Sequence, residues 1–394
     1  MLSRYVLECL EKSSWIRKMF EDGAELKKEM GTHRVFDFSL GNPYGEPPGE
    51  FHEILRKELS SPAPGFHAYM PNAGYPETRD ARARELSSIT GISFSADNLV
   101  MTAGAAGGIN IALKAILNPG EKVVIFSPYF VEYAFYIQNN GGNPLVLPTD
   151  LRFEPDIIQL EKNLSANVKG IILNSPNNPS GKVYTRETLT ALGELLERFE
   201  RETGRPIFVI SDEPYREIVY DDVTFHPPAK YVKNCIVVYS HSKDLNIPGE
   251  RIGYAAVSPE IKCEKKLFDS MVFANRTLGF VNAPALMQRA SKELVGTRAD
   301  HRAYRENRAL LSKFFDDFGL EYSMPEGAFY FFPKVPFGET DLSFTQRARD
   351  EGILVVPGRG FGLPEYFRVA YCTPPEVVKR SRDAWERLLS KRER

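Results

Sequence analysis

Lys243 follows an apolar run, "CIVVY" (Cys235 to Tyr239), in the stretch "YSHSKDLNIPGERIG". Ser240 and Ser242 precede it, and Arg251 comes after it. A lysine held near an anion and a desolvating wall has a lowered pKa and acts as a nucleophile. Arginine binds anions through a planar fork of donors. A solvated loop position is the commonest fate of a single lysine, and this stretch alone leaves both readings open. His241, beside it, reads as a packing or surface residue.

Other apolar runs end on residues of comparable interest. "NLVMTA" is followed by "GAAGGIN", where Gly104, Ala105 and Ala106 open a helix. Small residues at a helix N-terminus let backbone N–H groups approach a phosphate, although the spacing matches neither G-x-G-x-x-G nor a P-loop. A tight turn chosen for packing explains the same residues. "KVVIF" leads to "SPYF", placing Tyr129 where it stacks on a planar ring or packs under a loop. "VKGIILN" leads to "SPNNPSG", where Asn178 either donates a hydrogen bond or shapes a turn. "PIFVIS" leads to "DEPYREIVY". There Asp212 is a buried carboxylate that needs a partner, or a helix cap ahead of Pro214.

Singly, each ordinary reading stands. Together, successive strand ends offer a phosphate turn, an aromatic plate, an asparagine, an aspartate with Tyr215, and Ser/Lys/Arg. One ligand uses all of these: pyridoxal 5′-phosphate, with a ring nitrogen, a phenolic oxygen, an aldehyde and a phosphate.

The elements that position these residues follow from pattern. Between about 98 and 257, short apolar runs alternate with helical stretches such as "GGINIALKAIL" and "RETLTALGELLERFE". That predicts an α/β fold with a largely parallel sheet covered by helices, binding its ligand beyond the strand C-termini. Residues 13–30 carry apolar residues at helical spacing behind Ser13 or Ser14. A Gly/Pro-rich loop, "SLGNPYGEPPG", follows. From about 285 a charged helix, strand-like pieces ("GAFYFFP", "ILVVPG", "YFRVAY") and a final helix predict a second, smaller α+β domain.

At 394 residues the chain suits two domains. A net charge of -2 points away from nucleic-acid and membrane partners, and no apolar run is long enough to span a bilayer. The interrupted apolar start argues against a cleaved signal peptide. Scattered Cys9, Cys235, Cys263 and Cys372, with no metal-ligand histidine spacing, predict reduced thiols, a cytoplasmic location and no metal site.

With these residues in view, the sequence resembles the class I/II aminotransferases of PLP fold type I, over roughly Ser39 to Pro375. The motifs are "NSPNNPSG", "SDEPYREIVY", "SHSKDLNIPGERIGY" and "FRVAYC". The resemblance implies a large domain over 46–285 with a seven-stranded sheet, and a small domain from residues 1–45 and 286–394. It implies that Lys243 forms the Schiff base and moves the proton. It pairs Asp212 with the pyridine nitrogen and sets Asn178 and Tyr215 on the ring hydroxyl. Tyr129 stacks, and Ser240, Arg251 and the backbone of Gly104, Ala105 and Ala106 hold the phosphate. Tyr69, in "HAYMPNAGYPETRDA", reaches the phosphate of the other subunit of a homodimer. Arg368 grips the substrate α-carboxylate, and Gly41 lies in a loop that closes over the substrate. The implied reaction is ping-pong transamination between an L-amino acid and a 2-oxoacid. Arg276 is a candidate reader of a distal carboxylate, as in an aspartate/glutamate-type enzyme, and Arg359 is a second. Many relatives carry a small residue in the loop where this sequence has Arg359. A C–S β-lyase or related lyase on the same fold is the alternative, and a non-catalytic cofactor-binding module a third.

Overall fold

A computed structural model describes residues 2–10, 26, 28–60, 62 and 64–390. The helix expected over 13–30 falls largely outside the described residues.

Seven strands form the main sheet: β2 (Leu99–Thr102), β3 (Lys122–Ser127), β4 (Asn143–Pro148), β5 (Val168–Asn174), β6 (Phe208–Asp212), β7 (Cys235–Ser240) and β8 (Gly253–Val257). Their order is β2-β8-β7-β6-β5-β3-β4, and β8 runs antiparallel to both its neighbours. The apolar runs read from the sequence supply six of the seven. The short "GYAAV" of β8 lacks their β-branched density.

The strands read as continuous apolar runs because both faces are buried. Val124, Ile171, Val209 and Val237 point into one core with Leu86, Leu189, Leu192 and Met287. Val123, Ile172, Ile210 and Ile236 point into the other with Ile109, Leu113, Ile137 and Met271. Helices Pro76–Thr90 and Arg186–Thr203 cover the first face, and Gly104–Ile116 and Glu264–Thr277 cover the second.

A separate core gathers Phe36 and Phe38 with residues from Tyr304 to Leu389. Here β1 (Phe36–Asp37) pairs in parallel with β10 (Ile353–Leu354), and β11 (Val356–Pro357), β12 (Phe367–Ala370) and β9 (Tyr330–Phe331) form an antiparallel sheet. Met287, Ala290 and Leu294 pack into the large-sheet core. Tyr215, Ile218 and Tyr220, from the segment after β6, join the second core as well. No helix among the described residues is long and apolar enough to cross a membrane.

Trp385, fully buried, meets Phe315 at 5.3 Å and Phe38 at 6.0 Å between ring centroids, joining both ends of the chain. Trp385→Ala is expected to lower stability by about 3–5 kcal/mol, read by chemical denaturation. A loss below ~1 kcal/mol would show that the site collapses around the deletion.

Candidate active site

A cavity of about 390 Å³ lies beyond the C-terminal ends of the parallel strands. Gly41, Ala105, Ala106, Asn178, Asp212, Tyr215, Ser240, Lys243, Arg251 and Arg368 all line it.

The link between β7 and β8 explains the opening stretch. Ser240 and Gly253 are paired across the two antiparallel strands, so the residues between them must leave and return at one sheet edge. Ser240 caps the turn His241–Asp244, accepting the N–H of Ser242. His301 Nε2 lies 3.1 Å from the Lys243 carbonyl, and Ala299 N–H donates to the Asp244 carbonyl at 2.7 Å. The Lys243 amine donates to the Gly41 carbonyl at 2.7 Å. It lies 5.4 Å from the Phe329 ring centre. Desolvation, with the positive charges of Arg368 and Arg251, brings its pKa down to about 8.

Asp212 ends β6 beside Asn174, which ends β5 in register with it. Asn174 donates to the Asp212 carbonyl at 3.0 Å and accepts the Asn178 N–H at 2.7 Å. The Tyr133 hydroxyl donates to Asp212 Oδ2 at 2.5 Å. Oδ1 is buried with no partner among the described residues. Burial, with a smaller push from Glu213, raises the carboxyl to about 7 against the pull of the Tyr133 hydrogen bond.

Arg368 arrives on β12. Its Nη1 donates to Asn178 Oδ1 at 3.0 Å and its Nη2 to the Ser39 carbonyl at 2.5 Å. The guanidinium is packed 4.8 Å from the ring centres of both Tyr330 and Phe361. Its Nε–H is buried and unpartnered, and burial lowers its pKa.

The anion-binding end is built on backbone. Helix Gly104–Ile116 begins without a side-chain cap, leaving its first N–H groups open. Arg251 lies across that start, donating to the carbonyls of Pro248 at 2.9 Å and Ala103 at 3.3 Å. At Gly104 φ is +69°, so the backbone favours glycine, and the Arg251 guanidinium lies close over it. Ser240 and Ser242 present hydroxyls 2.7 Å apart on the same wall.

Other residues singled out from the sequence lie away from the cavity lining. Tyr129 does not line the cavity; Phe130 does. The chain turns after β3, and Tyr129 instead donates its N–H to the Phe361 carbonyl at 3.1 Å and packs against Gly362. Arg276 sits exposed at the end of helix Glu264–Thr277, 5.5 Å from the Phe273 ring centre and outside this cavity. Arg359 is bonded to buried Asp341 through Nε at 3.0 Å and Nη2 at 2.7 Å, and lies outside the cavity lining. Tyr69 is 92% exposed and outside the cavity. His241 is buried, its Nδ1 3.0 Å from Asp244 Oδ2.

Tyr133, Asn174, Phe130 and Tyr330 were not singled out from the sequence. Asn174 was findable, being a polar residue ending an apolar strand as Asp212 does. Tyr330 sits within the apolar run "GAFYFFP", which hides it.

The sequence model described as "Aminotransferase class I and II" matches residues 33–384. The chain belongs to the class I and II aminotransferases. It is 28% identical to an aspartate aminotransferase of Pyrococcus horikoshii over 96% of this chain and 95% of that one. A probable aspartate/prephenate aminotransferase of Aquifex aeolicus is 32% identical over 87% and 88%. A crystal structure of an amino transferase from Eubacterium rectale superposes with a TM-score of 0.95 at 38% identity, covering 100% of both chains. The protein is an enzyme, a transferase of amino groups. The relatives are named as aminotransferases, so the lyase alternative is not favoured.

Because the folded-state pKa of Asp212 exceeds its ordinary value of 3.8, the stability tied to its proton is fully present below that value. It is lost as pH rises through about 7. In the ligand-free aminotransferase, Asp212→Asn is therefore expected to melt a few degrees above wild type at pH ~8. The gap should close towards pH ~4. Melting curves check this; a gap that does not narrow on acidification would show that Asp212 is ionised throughout.

Proposed function

We propose that this aminotransferase uses pyridoxal 5′-phosphate, takes aspartate or glutamate as amino donor, and works as a homodimer. The observation that carries the cofactor reading is the unpartnered, buried Oδ1 of Asp212, on the wall shared with Lys243. A protonated pyridine nitrogen supplies the missing partner and holds Asp212 ionised. When bound, the cofactor supplies an aldehyde for a lysine and a ring that accepts electrons from a Cα–H bond.

The chain's own residues divide the remaining work. The open N–H groups of Ala105 and Ala106, the hydroxyls of Ser240 and Ser242, and Arg251 fit the phosphate. Phe130, not Tyr129, is the stacking wall. Asn178 and Tyr215 hydrogen-bond the phenolic oxygen. Arg368, already oriented by Asn178 and Ser39, forks the substrate α-carboxylate. Lys243 Nζ takes the proton from the substrate Cα, which requires a neutral amine. A pKa lowered to about 8 keeps a useful fraction neutral near physiological pH.

The donor assignment draws on relatives named aspartate aminotransferases. Among the described residues the cations lining the cavity are Lys243, Arg251 and Arg368, each with a task already. We infer that a distal carboxylate is read by a cation beyond these three. Asn275 donates to the Asn72 carbonyl at 3.3 Å and Asn282 to that of Pro71 at 3.0 Å. These bonds tie the segment carrying Tyr69 to the end of the helix carrying Arg276. Exposed Phe273 and Leu278 flank Arg276. This shared face supports delivery of Tyr69 and Arg276 together into a second copy's cavity.

A panel of amino donors against 2-oxoglutarate, with absorbance read before and after, tests the proposal. Aspartate or glutamate should convert the bound chromophore without oxoacid, and no pyruvate and ammonia should accumulate. Lys243→Ala should lower kcat by at least ~10²–10⁴-fold. Arg276→Ala should raise KM for aspartate and glutamate far more than for alanine and phenylalanine; equal effects on all four would reject its role.

A further inference from the structure

Tyr330, on β9, shares a core with Tyr215, which follows the end of β6, and their hydroxyls lie 2.8 Å apart. Both tyrosines are buried, Tyr330 1% exposed and Tyr215 5%. Their rings meet edge to face, 5.7 Å between centroids. The Tyr330 hydroxyl also occupies the space beside Gly41: a Cβ added at Gly41 would strike it, and would lie 3.0 Å from its ring carbon Cζ. One hydroxyl thus touches the loop whose carbonyl holds Lys243 and the tyrosine assigned to the cofactor's phenolic oxygen. The Tyr330 ring, meanwhile, carries the Arg368 guanidinium.

A phenol has one proton to give. Once Tyr215 donates to the phenolic oxygen, the Tyr215–Tyr330 bond has only one allowed direction, with Tyr330 donating and Tyr215 accepting. We propose that Tyr330 is a positioning residue for transamination: its hydroxyl donates to Tyr215 and fixes Tyr215's single proton on the phenolic oxygen. The inference rests on the cofactor reading above. A chain of two donors polarises both bonds, strengthening the terminal one by roughly 10–30%. A stronger donor stabilises the phenolate most where no iminium proton lies beside it, so it lowers the pH at which the lysine-linked cofactor loses that proton.

The test is the pH titration of the visible absorption band of the loaded enzyme, a readout that does not depend on turnover. Tyr330→Phe retains the ring under Arg368 and removes only the hydroxyl. Its midpoint should move up by roughly 0.2–0.6 pH unit, with a larger rise in Tyr215→Phe. Because Tyr330 acts through Tyr215, the double variant should titrate like Tyr215→Phe alone. Gly41→Ala, which displaces the Tyr330 hydroxyl by contact, should shift the midpoint in the same direction; this arm serves if Tyr330→Phe does not fold. An unshifted Tyr330→Phe beside a shifted Tyr215→Phe overturns the inference alone. So does a Tyr330→Phe shift of equal size with and without Tyr215. A Tyr215→Phe enzyme with an unmoved midpoint, or a wild type with no band, overturns the cofactor reading and this inference with it.

Discussion

Three charged residues, Lys243, Asp212 and Arg368, are held around one cavity, and none forms an ion pair among the described residues. Removing a charge from water without an opposite partner costs several kcal/mol. The rest of the molecule has to supply that, and the two well-filled cores on either side of the cavity are where it comes from. The consequence is visible in each group. Lys243 is pushed towards neutrality and Asp212 towards protonation, both by burial.

Immediate sequence neighbours of these residues behave oppositely. Glu213 bonds Ser211 at 2.8 Å and pairs with Arg216 at 3.4 Å. Asp244, next to Lys243, accepts from Tyr239 at 2.8 Å and pairs with His241. Behind the strand ends lies a buried network of paired charges, with Arg82 and Glu85 joined at 2.6 Å. Asp212 and Glu213 take these two fates because successive side chains at a strand end face opposite ways, whereas Lys243 and Asp244 diverge around the helical turn His241–Asp244. One face meets the cavity, and the other meets packed protein that must pair every charge it buries.

Three contacts join segments far apart in the chain around the cavity: Lys243 to Gly41, Asn178 to Arg368, and Tyr215 to Tyr330. Each joins a group assigned to the cofactor with a group at or beside the substrate.

Much of this was legible from residue types alone. The apolar runs with polar ends gave the parallel sheet and located Asp212, Lys243 and Arg251, because a buried strand needs continuous apolar side chains and its end is where polar groups reach open space. The short β8 was not legible, since "GYAAV" owes its place to pairing between β7 and β2 rather than to its own propensity. Nor was the choice of Phe130 over Tyr129, which depends on how the chain turns after β3. Arg359 and Arg276 show the same limit: one is bonded to Asp341, the other stands on an outer face. By itself the sequence determined which chemical groups end the strands. Only the tertiary structure decided which of them face each other across the cavity and which are neutralised behind it, because a side chain's partner is set by packing between segments far apart in the chain.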